Sequence, residues 1–529
     1  MLSVSGCDQL PSMAGVLGTG GSIEGVSGPD PLYPDQWHLK NTGQEGGVVG
    51  EDVNVEPVWT NYRGTGVRIV VVDDGLEIGH EDLAGNVIPG ASWDYANQDT
   101  DPTGGSHGTA VAGVAAAVGD NAKGVKGVAP NAELVGYNYL QLSTLSNELD
   151  AMTRGKADNA VSSNSWGPQD FTGELIDSSS NWRAAIDEGT STGLGGKGTV
   201  YTWAAGNGGS LVSTGSELIH IDNSNYDGYA NYRGVFAIAA LADDGTRASY
   251  SEPGANVLVA TPSGEYCSTG HTTTTVDRSG NDGYNSGGTF ISASKTDYSS
   301  PNYTKCFNGT SSATPVASGA IALMREANPN LTWRDVRVIL ARSARQNDSA
   351  DPDWSVNGAG LSINHQYGFG ALDAEAAVNM AQSWTSIGGS NALDSVTGSS
   401  FPNVAIADGT GTLLEYGAMT TDTITISASG INNIEFVEVT VTSDHTYISD
   451  LDIQLTSPDG TVSELAKFRR CNDGSSYVAC SSDYTTGWRF GSVRHLDEAA
   501  DGNWTLGLRD GWSGDTGNLV SWSITVYGR

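Results

Sequence analysis

The sequence predicts an α/β domain built on a parallel sheet, followed by an all-β sandwich. Two patterns carry this expectation. Up to about residue 384, continuous apolar runs of strand length alternate with helical runs rich in small residues. Strands with no polar side suit a sheet buried on both faces, which is the usual condition of parallel strands between helix layers. From about residue 385 the helical period stops. Apolar residues then recur at every second position between turn-forming clusters such as Ser457-Pro458-Asp459-Gly460.

The strands of the first part are VRIVVVD (67–73), ELVGYNYL (133–140), AVSSNSW (160–166), TVYTWAAGN (199–207), VFAIAAL (235–241) and NVLVATP (256–262). Between and after them, TAVAGVAAAV (109–118), NELDAMTRG (147–155), NWRAAIDEG (181–189), ATPVASGAIALMREAN (313–328), LTWRDVRVILARSA (331–344) and ALDAEAAVNMAQ (371–382) read as helices. In the second part FVEVTV (436–441), DLDIQLT (450–456), WTLGLRD (504–510) and SWSITVYG (521–528) read as strands of a sandwich or jelly roll. The chain therefore divides into a flexible N-terminal tether, 1–29, an α/β domain, 30–384, and a β-sandwich, 385–529.

The whole-chain properties bound the function. A length of 529 residues exceeds one ordinary core, and 38% hydrophobic residues with 13 Trp and 20 Tyr mark a folded protein. A net charge of −35 excludes nucleic acid as a partner, because phosphate contacts need clustered Lys and Arg. Such acidity serves solubility or an extracellular setting, and part of it can recognise cationic substrates or hold metal ions. No stretch approaches the ~18 consecutive apolar residues of a spanning helix. Cys267 and Cys306 bracket one polar loop and Cys471 and Cys480 another, a pattern that fits two loop-closing disulfides in an oxidising compartment, although sequence alone leaves the pairing open. The fifth cysteine closes Val4-Ser5-Gly6-Cys7, which is similar to a bacterial lipoprotein box and precedes a Gly- and Ser-rich run. No positive and apolar signal regions stand ahead of it. The readings are a lipid anchor on Cys7, a start that lies upstream, or a chance match.

Three segments carry the chemistry: VVDDG ending at Gly75, SHGTAVAG from Ser106 and GTSSATP from Gly309. They supply Asp73, His107 and Ser311 as acid, base and nucleophile. A serine hydroxyl needs an imidazole to take its proton and a buried carboxylate to hold the imidazole's tautomer. Each residue alone has a plainer reading, as a turn cap, a satisfied histidine and an N-cap; their conjunction favours catalysis. Ser311 opens a helix with Pro315 in its first turn, so its backbone N–H is expected to face a developing oxyanion. Asn207, in the Gly-rich turn of WAAGNGG (203–209), is expected to donate the second oxyanion hydrogen bond.

These motifs resemble the subtilisin superfamily (subtilases), and more narrowly its kexin and furin branch, the proprotein convertases with a P domain. The narrower likeness rests on Asp30-Pro31 ahead of Pro34-Asp35-Gln36-Trp37, the doubled Asp73-Asp74, Ser163-Asn164-Ser165-Trp166-Gly167-Pro168, Tyr226-Asp227-Gly228-Tyr229 and Tyr250-Ser251-Glu252. HTYISDLDIQLTSPDGT (445–461) and GNWTLGLRDGWSGDTGNLVSWSITVYG (502–528) look like a P domain. The resemblance implies a bacterial serine endopeptidase, secreted or held at the cell envelope, that cuts peptides after basic residues through an acyl-enzyme. It implies Asp170 and Asp227 as acids for a P1 Arg or Lys, Asp74 as an acid facing P2, and Ser165, Trp166, Gly167 and Tyr229 as further substrate contacts. A second P2 acid is expected just before His107, yet Thr103-Gly104-Gly105-Ser106 contains none.

The resemblance also implies Ca2+ as the metal, since the candidate ligands are hard oxygens. A first site would use Asp30, Asp82 and the loop 118–125 through Val118, Asn121, Lys123 and Val125. A second, beneath the P1 pocket, would use Asp170, Asp222 and Glu252. Enzymes of this branch carry an N-terminal pro-region, for which the residues ahead of Asp30 leave no room; the expectation is a separate folding helper protein or a missing upstream segment. Two alternatives stand beside the favoured reading: a broad-specificity extracellular subtilisin whose acids only bind calcium, and a binding protein on a silenced protease fold.

Overall fold

The computed structural model describes residues 28–529 apart from 214–217, 221, 293–294, 412–413, 473–476, 479 and 481–482. Cys7 and its lipobox-like context lie outside the described residues.

The α/β part is organised by six strands: β1 (Arg68–Val72), β2 (Glu133–Tyr137), β3 (Asn159–Asn164), β4 (Val200–Ala204), β5 (Val235–Leu241) and β6 (Val257–Pro262). They stand in the order β2-β1-β3-β4-β5-β6, and every neighbouring pair is parallel. Helices α1 (Ser106–Ala116), α2 (Leu145–Thr153), α3 (Ser180–Gly196), α4 (Thr310–Ala327), α5 (Trp333–Ser343) and α6 (Ala374–Gln382) cover it. The pleat of β1 divides them into two layers. Ile69 and Val71 join one apolar cluster with residues of α1 and α4, while Val70 and Val72 join another with residues of α2 and α3.

Two elements depart from simple patterning. Strand β3 is polar yet wholly buried, and several of its groups find partners in the sheet and in α4: Asn164 Nδ2 donates to the carbonyls of Ser162 and Thr202, and Ser318 Oγ of α4 donates to Ser163 Oγ at 3.0 Å. The side-chain oxygens of Asn159 and Asn164 go without a partner among the described residues. Helix α3 runs past the expected 181–189, but Gly193, Leu194 and Gly195 leave helical geometry, so its last turn is a separate piece.

The loop between Cys267 and Cys306 is closed by a disulfide and contains an antiparallel pair, β7 (Thr273–Val276) and β8 (Tyr303–Phe307). Cys471 and Cys480 are bonded as well.

The C-terminal part is a sandwich. One sheet has the order β9-β16-β11-β14, from β9 (Asp394–Ser400), β16 (Asn518–Gly528), β11 (Ile434–Ser443) and β14 (Trp488–Ser492). The other has the order β10-β15-β12-β13, from β10 (Thr420–Ile426), β15 (Gly502–Asp510), β12 (Leu451–Thr456) and β13 (Val462–Ala466). Inward residues such as Val439, Val441 and Ile524 meet Leu451, Ile453, Leu506 and Leu508 in one cluster. Among the described residues no helix is long and apolar enough to cross a membrane.

The two parts are welded by buried polar contacts. Arg334 of α5 forks onto Glu435 of β11, with Nε–Oε2 2.9 Å and Nη2–Oε1 2.6 Å and both side chains fully buried. Phe436 and Val493 of the sandwich belong to the main α/β core cluster. Asn357 Nδ2 donates to the carbonyls of Arg494 and Leu496, and Asn225 exchanges two bonds with Gly491. Removing one partner of a buried ion pair leaves the other charge uncompensated. Glu435→Ala is therefore expected to destabilise the folded chain by about 3–5 kcal/mol. The pair replaced together by Arg334→Met and Glu435→Leu is expected to lose much less, as read by urea denaturation.

Candidate active site

The site assembles at the carboxyl ends of the strands, where open parallel sheets expose their loops. Asp73 follows β1 directly and is fully buried. Its Oδ1 lies 2.8 Å from His107 Nδ1 and also accepts the Asp74 N–H at 2.7 Å. His107 occupies the first turn of α1, so the strand end and the helix start must touch. A Cβ on Gly108 would fall 2.0 Å from the Gly75 carbonyl oxygen, and one on Gly105 2.2 Å from Asp74 Oδ1. Only glycine allows this approach.

Asp74 does more than face the cleft. Helix α1 has no side-chain cap of its own at Gly105, and the Asp74 carboxylate takes that place, accepting the N–H of His107 at 3.2 Å and of Gly108 at 2.8 Å. A carboxylate there satisfies orphan donors and complements the helix dipole. Burial and then the charge of Asp73 push Asp74 up to about 6. For His107, burial disfavours the imidazolium, but the charge and hydrogen bond of Asp73 and the charge of Asp74 outweigh it and raise the group to about 9.

Ser311 lies in the first turn of α4. Its Oγ donates to the carbonyl of Ser165 at 3.3 Å, and Ser165 Oγ donates to the carbonyl of Ser311 at 3.0 Å, which fixes α4 against the end of β3. Asn207 follows β4, and its Oδ1 accepts from both the N–H (2.8 Å) and Oγ1 (2.9 Å) of Thr310. With its oxygen held, the Asn207 side chain lines the cleft together with Ser311, and it also bonds the Asp170 carboxylate. Thr310 is thus a positioning residue that the motif GTSS contained but that the sequence reading did not single out.

A cleft of about 990 Å3 joins the three groups to Asp74, Ser165, Trp166, Gly167, Asp170, Asp222, Asp227 and Glu252. Trp166 is pinned to the end of β1 by its Nε1–H to the Val72 carbonyl at 3.0 Å. Tyr229 is placed differently from expectation: it does not line the cleft. Its ring stacks on Trp203 at 5.6 Å and packs against Trp166, and its hydroxyl donates to Glu148 at 2.8 Å. An aromatic wall packs behind the pocket at this point, and Tyr229 supports Trp166 there.

The acids at the floor share a strained electrostatic setting. Burial raises Asp170. Burial also raises Asp227 to about 7 and, with the charge of Asp170, Asp222 to about 7. Glu252 is pushed well above the usual range by burial and by the charges of Asp222 and Asp170. Among the described residues none of Asp170, Asp222 and Glu252 forms an ion pair with Lys or Arg, and this chemistry fits a hard divalent cation. The trio is looser than a closed ligand shell: Asp222 already accepts the N–H groups of Phe171 and Gly173, and Asp170 that of Asn207. The tightest cluster of acid and sulfur ligand atoms, Glu174 with Cys471 and Cys480, belongs to the disulfide.

The structure also brings together the residues expected for a first metal site. Asn121 Nδ2 lies 2.6 Å from Asp82 Oδ1, Asp82 Oδ2 accepts the Val125 N–H, and Asp30 accepts the N–H groups of Asp120 and Asn121. Val118 N–H binds the Asp82 carbonyl and Lys123 N–H the Asn121 Oδ1. Asp30 and Asp82 are buried, and Asp82 is raised to about 6. Asp30 and Asp82 supply the hard oxygens that would suit calcium, while Asn121 turns its Nδ2 to Asp82. A group missed in the sequence, the Lys126 ammonium, sits 3.7 Å from Asp30, held between Asp120 and the faces of Tyr33 and Trp59. A lysine in a Gly-rich loop carries no local sign that it will turn inward.

Comparison with known proteins adds to this geometry. The subtilase family model matches residues 64–370, and the proprotein convertase P-domain model matches residues 434–526. Human neuroendocrine convertase 2 is 34% identical over 517 residues, covering 94% of this chain and 74% of its own length. Mouse proprotein convertase subtilisin/kexin type 7 is 35% identical over 520 residues, covering 94% of this chain and 61% of its own. Among solved structures, the Aeromonas sobria serine protease in complex with its chaperone aligns with a TM-score of 0.82 at 30% identity over 95% of each chain.

Two outcomes follow from the geometry. A general base acts as neutral imidazole, so kcat/KM is expected to fall as pH drops below the raised value of His107 near 9. Asp74→Asn removes a charge that favours the imidazolium, and the midpoint of this limb is expected to move to lower pH in a pH–rate profile. Asn207→Ala is expected to lower kcat by about 10²–10³ with KM little changed, as measured on a peptide substrate.

Proposed function

The chain belongs to the subtilase family and is a serine-type endopeptidase with a convertase-like P domain, and on this premise we propose that it cleaves after Arg or Lys and needs calcium to do so. Residues 30–384 form the catalytic unit in this reading, and 385–529 its stabilising P domain. Ser311 Oγ attacks the scissile carbonyl, His107 takes its proton and later gives it to the leaving amine, and Asp73 holds the imidazole. Asn207 and the Ser311 N–H receive the oxyanion.

One observation carries the basic specificity: Asp170 and Asp227 line the same cleft as Ser165–Gly167, so a long cationic P1 side chain that enters it ends among buried carboxylates. A guanidinium gains most from such partners because it forks onto carboxylates and is weakly hydrated. At P2 the support is thinner. Asp74 is committed to capping α1, and no second acid precedes His107. We therefore propose strong selection at P1 and weak selection for a basic P2. Calcium supplies positive charge where it binds: Asp170, Asp222 and Glu252 would hold one ion beneath the pocket, and Asp30, Asp82 and Asn121, with carbonyls of the loop 118–125, another.

A separate folding helper is part of the proposal, supported by the Aeromonas sobria protease having been solved with a chaperone; refolding yield with and without a co-expressed partner tests it. Secretion or retention at the cell envelope is proposed too. The mass of the mature N-terminus distinguishes a lipid-modified Cys7 from a free one.

Peptide-library profiling is expected to favour Arg over an apolar P1 residue by about a hundredfold or more, with Asp227→Asn narrowing the gap. Equal turnover of both would leave the broad-specificity reading in place. A calcium chelator is expected to lower the Tm by several degrees through loss of ligand-linked stability, and Asp222→Asn to shrink that difference.

A further inference from the structure

A second cavity, of about 300 Å3, opens beside the catalytic groups and shares His107, Asn207, Ser311 and Tyr284 with the main cleft. Its own walls are Tyr250, Tyr266, Cys306, Phe307, Asn308 and Gly309. We infer that this cavity binds a bulky apolar or aromatic side chain of the substrate, at the first or second residue beyond the scissile bond.

The side of the bond follows from proton transfer. His107 must protonate the leaving amine, so the leaving segment lies on the imidazole's side of Ser311. Phe307 meets the His107 ring there edge-on, at 5.5 Å and 67°. The acyl side is the one lined by Asp170, Asp222, Asp227 and Glu252.

The chemistry of the occupant follows from the walls. No Asp or Glu lines this cavity, although the chain has 61 acidic residues and its neighbouring cleft is ringed with them. Phe307 and Tyr250 form a buried floor, and Tyr250 is fixed by accepting the Gly309 N–H at 2.9 Å. The rim is Tyr266 and Tyr284, which keep 42% and 44% of their surface exposed. Aromatic residues left open beside a reaction centre, over a rigid apolar floor, suit a side chain that covers them. The Cys267–Cys306 disulfide joins the residue after Tyr266 to the residue before Phe307, so rim and floor are held at a set spacing before substrate arrives.

The inference rests on endopeptidase activity and not on basic specificity, and its test keeps the two apart. Internally quenched peptides carry whichever P1 residue the enzyme cuts best, with Phe, Leu, Gly, Asp or Lys at each of the two following positions. Phe or Leu is expected to exceed Gly and Asp by about tenfold or more in kcat/KM at one of those positions. Tyr266→Ala is expected to bring that ratio toward one. Sites are counted by titration with a peptidyl chloromethyl ketone, which occupies the acyl side only. If that variant yields no titratable sites, Tyr284→Ser, at the exposed rim, gives the same reading. Uniform rates at both positions, a preference for Lys, or a ratio unchanged in a titratable variant would each overturn the inference.

Discussion

The catalytic geometry depends on one contact, the meeting of backbone at the end of β1 with backbone at the start of α1. Asp73 and His107 come from elements 34 residues apart, yet their side chains meet at 2.8 Å because no Cβ separates the chains at Gly105 and Gly108. The same contact lets Asp74 cap α1. One short span therefore sets the tautomer of the imidazole, the anchoring of its helix and the charge around it. Ser311 and Asn207 are then registered on this frame through Ser165 and Thr310. These links join the ends of three neighbouring strands with the start of α4, and the rigidity of a buried parallel sheet reaches the reacting atoms.

Charge is the second constraint. The α/β part places several carboxylates where water is excluded and balances them by unlike means. Asp73 has an imidazole, Asp74 has helix N–H groups, and Asp30 has both backbone donors and a lysine. The acids under the cleft have backbone donors and, at Asp170, the Asn207 side chain, and burial raises their protonation together. What sets the cleft apart is that four such acids, Asp170, Asp222, Asp227 and Glu252, line one opening. It is the physical basis for reading the cleft as a place for cations, whether a side chain or an ion.

Much of this was legible in the sequence because it is local. Each candidate catalytic residue sits in a segment whose neighbours are dictated by the same geometry: apolar β-branched residues ahead of Asp73, small residues after His107, a Gly-Thr pair ahead of Ser311. Of the six parallel strands, all but the polar β3 were legible for a similar reason, since burial on both faces writes itself as a largely apolar run. What was not legible depends on contacts distant in sequence. Strands β9, β10, β13 and β14 were missed; β9 is polar and half-exposed, and its partner β16 lies more than a hundred residues away. Tyr229 shares a motif with Asp227, yet the aromatic packing around Trp203 draws it away from the cleft. Lys126 turns inward only because Asp30, Asp120, Tyr33 and Trp59 converge on it.

The buried Arg334–Glu435 fork has a consequence for how such chains can diversify. Modular proteins often gain new properties by exchanging whole domains across a linker, because few contacts cross the boundary. Here the boundary is a continuous core with a desolvated charge on each side, each useless or harmful without the other. A sandwich borrowed from a relative would have to bring a carboxylate to the place of Glu435, and an aromatic ring to that of Phe436, to be accepted. The two halves are thus coupled, and a change of charge or volume on one side of the boundary is felt on the other.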